Sequence, residues 1–313
     1  MRDISQRHSV LTGMMKLFST PIRKRPGFTL SEIIVCVVIL GILGTALTRL
    51  MLAQSRLGAL QRGQRDARAI SQTSMNLLFS DLRMVHDGGD APGSVMLAWP
   101  ESLSVKVPYA VGLVCGNGAT FTVVSMLAVD SAAKAMAKYA GFAWRNRVTG
   151  KYSYVPVVDT VLNAPVTPST SPTTCTTTAK IKTDTVSGRS WGAVDLKPIS
   201  LTAGLQPGAP VFLYQNVLYY FGPSTAYPGR IALLRKLEGR AADELVGPFD
   251  AGSRFKFFVR NVDTSTVTAP AVLDSLVGVS LVLTGSSPST MAGRTAEKSR
   301  METAVLFRNH PGF

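Results

Sequence analysis

The stretch "RKRPGFTLSEIIVCVVILGILGTALTRLM", residues 23–51, decides how this chain begins its fold. Three basic residues come first, and an unbroken apolar run extends from Phe28 to Leu47 with one acid, Glu32, near its start. A helix of this length would be about 30 Å long, which matches the hydrocarbon core of a bilayer. The acid needs an explanation, because a carboxylate is costly in a membrane segment and marks a functional position by default.

The residues on either side of the apolar run predict its orientation in the membrane and whether it is cleaved off. The basic cluster at 23–25 should stay in the cytoplasm, which places the bulk of the chain outside. A secretory signal has a shorter apolar core and a small-residue cleavage site behind it. No such site follows this run, and the small residue Gly27 precedes it. We therefore expect a retained membrane helix whose first partner is lipid, and a plain single-pass anchor is one alternative.

The segment "GFTLSEIIVCVVILGILG" resembles the N-terminal signature of type IV prepilins and pseudopilins. In that family a prepilin peptidase cuts after the glycine, the new N-terminus is methylated, and the apolar segment stays attached. The resemblance implies cleavage between Gly27 and Phe28 and N-methylation of Phe28. It also implies that Glu32 becomes the fifth mature residue and pairs with the N-terminal amine of a neighbouring subunit during filament assembly.

Other features of the resemblance favour a minor rather than a major subunit. Arg49 occupies the place of the kink proline common in major pilins, and "LLFSDLRMV" at 77–85 is similar to PilW-type minor pilins and J-type minor pseudopilins. The function implied is that of a minor pilin of a type IV pilus. The alternatives are a J-type pseudopilin of a type II secretion system and a competence-type filament subunit that contacts DNA.

The resemblance also implies partners and a location. The partners would be other pilin subunits in a hetero-oligomeric filament, prepilin peptidase and an inner-membrane assembly platform. The chain would first be a single-pass inner-membrane protein and would then enter an extracellular or periplasmic filament.

Beyond the membrane segment, the sequence predicts an α+β fold in which a long N-terminal helix packs on an antiparallel sheet. The helix should continue to 86, with Gly58 and Gly63 marking a flexible joint. Its apolar stripe recurs at helical intervals through Ala53, Leu57, Leu60, Ala67, Ile70, Leu77, Leu78 and Leu82. The predicted organisation is a leader at 1–27, a membrane helix at 28–50, an amphipathic helix at 51–86 and a β-rich head at 87–313.

β-Branched and aromatic runs separated by turn residues predict the strands of the head. These runs are residues 94–100, 102–116, 119–130, 210–222, 229–237, 254–260, 273–285 and 301–309. The fourth and fifth should form a hairpin, and the last two should pair. A short helix is predicted at 131–138, a long exposed loop or a frayed strand pair at 164–190, and another polar loop at 286–300.

Composition restricts the remaining possibilities. The 313 residues carry a net charge of +14, of which the first 27 residues contribute +5. No zinc-finger spacing or helix-turn-helix pattern accompanies this charge. A scattered basic surface is therefore a better interpretation of the charge than DNA contact. Three cysteines cannot build a disulfide framework. Cys36 lies in the apolar run, and an exported head would allow Cys115 and Cys175 to form one bridge, with two separate buried thiols as the alternative.

The sequence gives no basis for expecting catalysis. The three histidines, at positions 8, 86 and 310, do not share metal-ligand spacing, and neither a phosphate-binding loop nor a nucleophile elbow is present. We interpret the adjacent acids Asp243 and Glu244 as solvated loop residues. We therefore expect no enzyme activity, no metal and no cofactor.

Overall fold

The computed structural model describes residues 27, 29–86, 93–117, 122–126, 130, 137–147, 149–156, 167–168, 192–196, 205–289 and 295–307. Some predictions lie outside these residues: the leader except Gly27, Phe28, Cys175, most of the helix at 131–138 and all of the loop at 164–190 except 167–168. The chain divides into two compact units, Met1–Arg56 and Leu57–Phe313. The division falls inside one helix.

The helix, α1 (Leu30–Leu82), is 53 residues long. It contains no proline, so every interior backbone amide can donate to the preceding turn. Its end is closed by hydrogen-bonded turns, in which the amide of Arg83 donates to Phe79 at 3.1 Å and that of Val85 donates to Leu82 at 3.2 Å. The helix thus ends four residues before the predicted boundary at 86.

The described residues form thirteen strands and one short 3₁₀ turn, Leu273–Ser275. The strands are β1 (Val95–Trp99), β2 (Ser102–Asn117), β3 (Thr122–Met126), β4 (Gly141–Arg145), β5 (Tyr152–Pro156), β6 (Thr167–Pro168), β7 (Gly192–Leu196), β8 (Pro210–Pro223), β9 (Ile231–Leu237), β10 (Ala242–Phe249), β11 (Arg254–Val259), β12 (Leu276–Ser286) and β13 (Lys298–Leu306).

All pairings between these strands are antiparallel, and they join into one sheet in the order β11-β12-β10-β9-β8-β2-β3-β7-β6. In addition, β1 pairs with β2, β13 pairs with β12, and β4 pairs with both β5 and β8. The predicted β8–β9 hairpin is confirmed, and so is the pairing of β12 with β13. The predicted fold class, a long helix on an antiparallel sheet, is therefore confirmed.

Some strands of the sheet were not predicted. They include the β4–β5 hairpin and β7. They also include β10, which contains Asp243 and Glu244, so the interpretation of these acids as loop residues is wrong. In β10 the register with β9 shifts on either side of Val246, and Phe249 pairs with Gly285 of β12. These irregularities weaken the alternation by which a strand is recognised in sequence.

The C-terminal half of α1 packs on the sheet through a face that differs in part from the predicted stripe. Its buried residues are Gly63, Ala67, Ser71, Ser74, Met75, Leu78 and Leu82. Leu57 and Leu77, which the stripe included, are 56% and 41% exposed. The main core combines this face with apolar residues of β1, β2 and β8–β13, among them Leu103, Val217, Leu233, Phe255, Leu281 and Val305.

Small residues occupy the buried face of α1 because other parts of the chain lie close to it. A Cβ at Gly285 would lie 2.1 Å from the carbonyl oxygen of Ala67 and 2.6 Å from the hydroxyl of Ser71. Similarly, a Cβ at Gly63 would lie 3.1 Å from Cγ of Glu297. The prediction that Gly63 marks a flexible joint is therefore wrong: this glycine is buried in the helix–sheet contact.

A threonine cap at the start of the apolar helix

Thr29 and Glu32 form a reciprocal cap at the first turn of α1. The carboxylate atom Oε2 of Glu32 accepts hydrogen bonds from the amide of Thr29 at 2.9 Å and from its hydroxyl at 3.0 Å. In return, the amide of Glu32 donates to Oγ1 of Thr29 at 3.4 Å. This is the capping-box arrangement, which satisfies donors that a helix start otherwise leaves open.

The cap gives one physical reason for an acid at this position. A negative side chain in the first helical turn interacts favourably with the positive end of the helix dipole. Both hydrogen bonds from Thr29 reach the same carboxylate oxygen, Oε2. Among the described residues the other oxygen, Oε1, accepts no hydrogen bond, and Glu32 is exposed. The first turn thus presents one satisfied and one open carboxylate oxygen.

The helix that follows is long and apolar enough to cross a membrane. None of its apolar span is buried by the rest of the described chain. The hydroxyls of Thr45 and Thr48 donate to the backbone oxygens of Ile42 and Gly44, each at 2.8 Å. Hydroxyls bonded in this way can lie in lipid without an unsatisfied donor. This segment fits a single-pass membrane anchor followed by a C-terminal domain.

The structure describes some of the predicted site residues and not others. Gly27 is exposed, and Glu32 lies in the first turn of α1. Phe28, and with it the predicted cleavage bond, lies outside the described residues. Cys115 is fully buried in β2, whereas Cys175 lies outside the described residues, so their pairing stays a prediction. Cys36 is an exposed free thiol on the apolar helix.

The contribution of Thr29 as the partner of Glu32 was missed in the sequence. The sequence does contain a pattern that indicates this pairing, because Thr-x-x-Glu directly before an apolar run is typical of a capping box. Metal binding finds no support in the described part of the chain, where no three His, Cys, Asp or Glu side chains could hold an ion together.

Comparison with known proteins gives one match at this end of the chain. Residues 22–48 match the family described as "Prokaryotic N-terminal methylation motif". No curated protein and no solved structure matches the chain. The matched residues include Gly27, Thr29 and Glu32, and they end one residue before Arg49. The chain therefore carries the N-terminal signature of type IV prepilins and pseudopilins, which supports a type IV pilin-like or pseudopilin subunit.

Proposed function

We propose that this chain is a minor pilin, a structural subunit of a type IV pilus that is made as a prepilin. Prepilin peptidase cuts between Gly27 and Phe28, and the new amine of Phe28 is methylated. The subunit then leaves the inner membrane through an assembly platform and joins other pilins in a filament. The observation that carries this proposal is the methylation motif at residues 22–48, which contains a lone acid, Glu32, at the head of an apolar helix.

Glu32 is the docking charge in this proposal. The amine of Phe28 from a neighbouring subunit binds Oε1, while Oε2 keeps its hydrogen bonds from Thr29. An opposite charge at hydrogen-bond distance offsets the cost of burying the carboxylate in a filament core. The open oxygen supports this arrangement, because it allows docking without breaking the cap.

The role is structural rather than catalytic, and the subunit is minor rather than major. Support for the second point comes from α1, which continues through Arg49 where major pilins commonly have a proline. A J-type pseudopilin would share the same processing and the same helix but would serve a secretion machine. Deleting the gene separates the two, because loss of pili with normal secretion supports a pilin and the reverse supports a pseudopilin.

Processing is tested by expressing the full chain with and without prepilin peptidase and measuring intact mass. We expect loss of the first 27 residues and a mature chain that begins at methylated Phe28. Gly27→Leu should block the cut, because a bulky side chain replaces the small residue before the scissile bond. The matched control is Gly58→Leu, an exchange at a glycine of α1 with no neighbouring atoms within 4 Å of its added Cβ. A full-length product from the unmutated chain in the presence of active peptidase would overturn the proposal.

A further inference from the structure

The uncharged part of the apolar helix is shorter than the hydrocarbon core of a bilayer is thick. Sixteen residues, 33–48, separate Glu32 from Arg49. At 1.5 Å per residue they span about 24 Å, whereas the hydrocarbon core is about 30 Å thick. The difference of about 6 Å has to be covered by local thinning of the bilayer or by charged side chains that reach out of it. At least one of the two charges therefore lies at the edge of the hydrocarbon.

Arg49 is suited to reach out of the hydrocarbon at the exported side. The apolar surface continues past it, because Leu50, Met51 and Leu52 are all more than half exposed. The described residues give Arg49 no ion pair, and its side chain is exposed. An arginine can keep its methylene stem in lipid while its guanidinium extends toward water. The lipid phosphates lie at that level and have the complementary charge and geometry.

We propose that Arg49 binds lipid phosphate groups at the exported membrane surface and thereby fixes the depth of α1 in the bilayer. With its outer end held, the short uncharged segment keeps Glu32 at the cytoplasmic edge of the hydrocarbon. Arg49 is thus a positioning residue for Glu32. The inference rests on the membrane anchor within the proposed function and does not depend on cleavage or polymerisation.

The test measures the depth of Cys36, which lies four residues after Glu32 and is a free thiol. The full-length precursor is labelled there with a nitroxide, reconstituted in phosphatidylglycerol vesicles and measured by power saturation. Arg49→Leu extends the uncharged segment to 33–55, whose centre lies 3.5 residues further along the chain. We expect this variant to move Cys36 by about 5 Å toward the cytoplasmic surface.

Three further proteins serve as controls. Arg49→Lys keeps the charge and should keep the depth. Arg65→Leu removes an exposed arginine from the later part of α1 and should also leave the depth unchanged. Cys36→Ser, labelled in parallel, gives the signal from the other two cysteines.

The ligand is identified separately, by phosphorus-to-carbon dephasing in solid-state NMR on chains with ¹³C-labelled guanidinium groups. We expect Arg49→Leu to remove dephasing that Arg65→Leu retains. An unchanged depth in Arg49→Leu would overturn the positioning role, and unchanged dephasing would overturn phosphate as the ligand. A depth difference that disappears when the protein is diluted in lipid would assign Arg49 to a neighbouring chain and would also overturn the proposal. Because the experiment uses the uncleaved precursor, its result can be interpreted even if prepilin peptidase does not cleave the chain.

Discussion

The amide of Gly285 donates a hydrogen bond of 3.0 Å to the hydroxyl of Ser71, which joins β12 to the buried face of α1. The same hydroxyl lies 3.4 Å from the carbonyl oxygen of Ser299 in β13 and donates to that of Ala67 at 3.3 Å. One small side chain thus connects the helix to both closing strands. The contact is possible only because residue 285 has no Cβ.

Gly285→Ala should therefore destabilise the head. Its Cβ would lie 2.1 Å from a helix backbone oxygen, which cannot move aside as a flexible side chain could. Overpacking of this kind costs about 1–3 kcal/mol of unfolding free energy. Chemical denaturation of the full chain in detergent measures the loss. Gly252→Ala is the control, because nothing lies within 4 Å of its added Cβ. Equal stability of the two variants would contradict the close crossing.

Tyr219→Phe should loosen the end of α1. The hydroxyl of Tyr219 donates to Oδ2 of Asp81, and the ring is buried in β8. Burial and the nearby carboxylate of Asp81 both raise the pKa of Tyr219, so the phenol stays a donor throughout the neutral range. A hydrogen bond to a charged partner contributes about 1.5–3 kcal/mol.

A double-mutant cycle with Asp81→Asn measures the coupling between these two side chains. Tyr220→Phe is the control, since Tyr220 is the next residue of the strand and is only half-buried. A coupling energy near zero would show that the bond does not stabilise the fold.

Glu244→Gln should destabilise the turn after β8 in a pH-dependent way. The Glu244 carboxylate accepts from the hydroxyl of Ser224 at 2.6 Å and from the amide and hydroxyl of Thr225, each at 2.7 Å. These bonds, that of Ser224 first, lower the pKa of Glu244 to about 2. Because the native pKa lies below the ordinary value of 4.5, the stabilisation is complete above that value and is lost as pH falls toward 2.

Denaturation series between pH 6 and pH 2 compare the native chain with this variant. The stability difference should shrink as the solution becomes more acidic. Asp243→Asn, at the adjacent exposed acid, supplies the control. A difference that stays constant with pH would refute the ionised carboxylate as the cause.

Exchanges at Thr29 and Glu32 should separate helix capping from filament assembly. Glu32→Gln keeps an acceptor oxygen for the Thr29 amide but removes the charge, so we expect normal processing and loss of incorporation into filaments. Thr29→Val replaces the hydroxyl with a methyl group and keeps the amide donor, so it should assemble at a reduced level, since caps contribute about 1 kcal/mol. Quantifying each variant in purified filaments makes the comparison. Normal incorporation of Glu32→Gln would contradict the docking role.

The sequence was informative where a long run of similar residues decided the structure. The apolar run at Phe28–Leu47 correctly predicted a long helix, and the β-branched runs at 273–285 and 301–309 correctly predicted the closing pair of strands. The buried face of α1 was harder, because it depends on Gly63, Ser71 and Ser74, which hydrophobicity does not mark. Their burial follows from the approach of distant backbone, which is a tertiary property. Glu244 likewise disguised a strand, since its carboxylate accepts hydrogen bonds from Ser224 and Thr225 in the turn after β8.

The contact between Ser71 and Ser299 spans 228 positions, and this separation has a consequence for biogenesis. A chain translocated from its N-terminus exposes the small-residue face of α1 long before β13 has crossed the membrane. Contacts between such distant residues form slowly, because a long loop must close first. In the proposed exported subunit, the buried face of α1 can therefore be covered only after β13 has crossed the membrane, and a chain that stops before β13 would leave this face exposed.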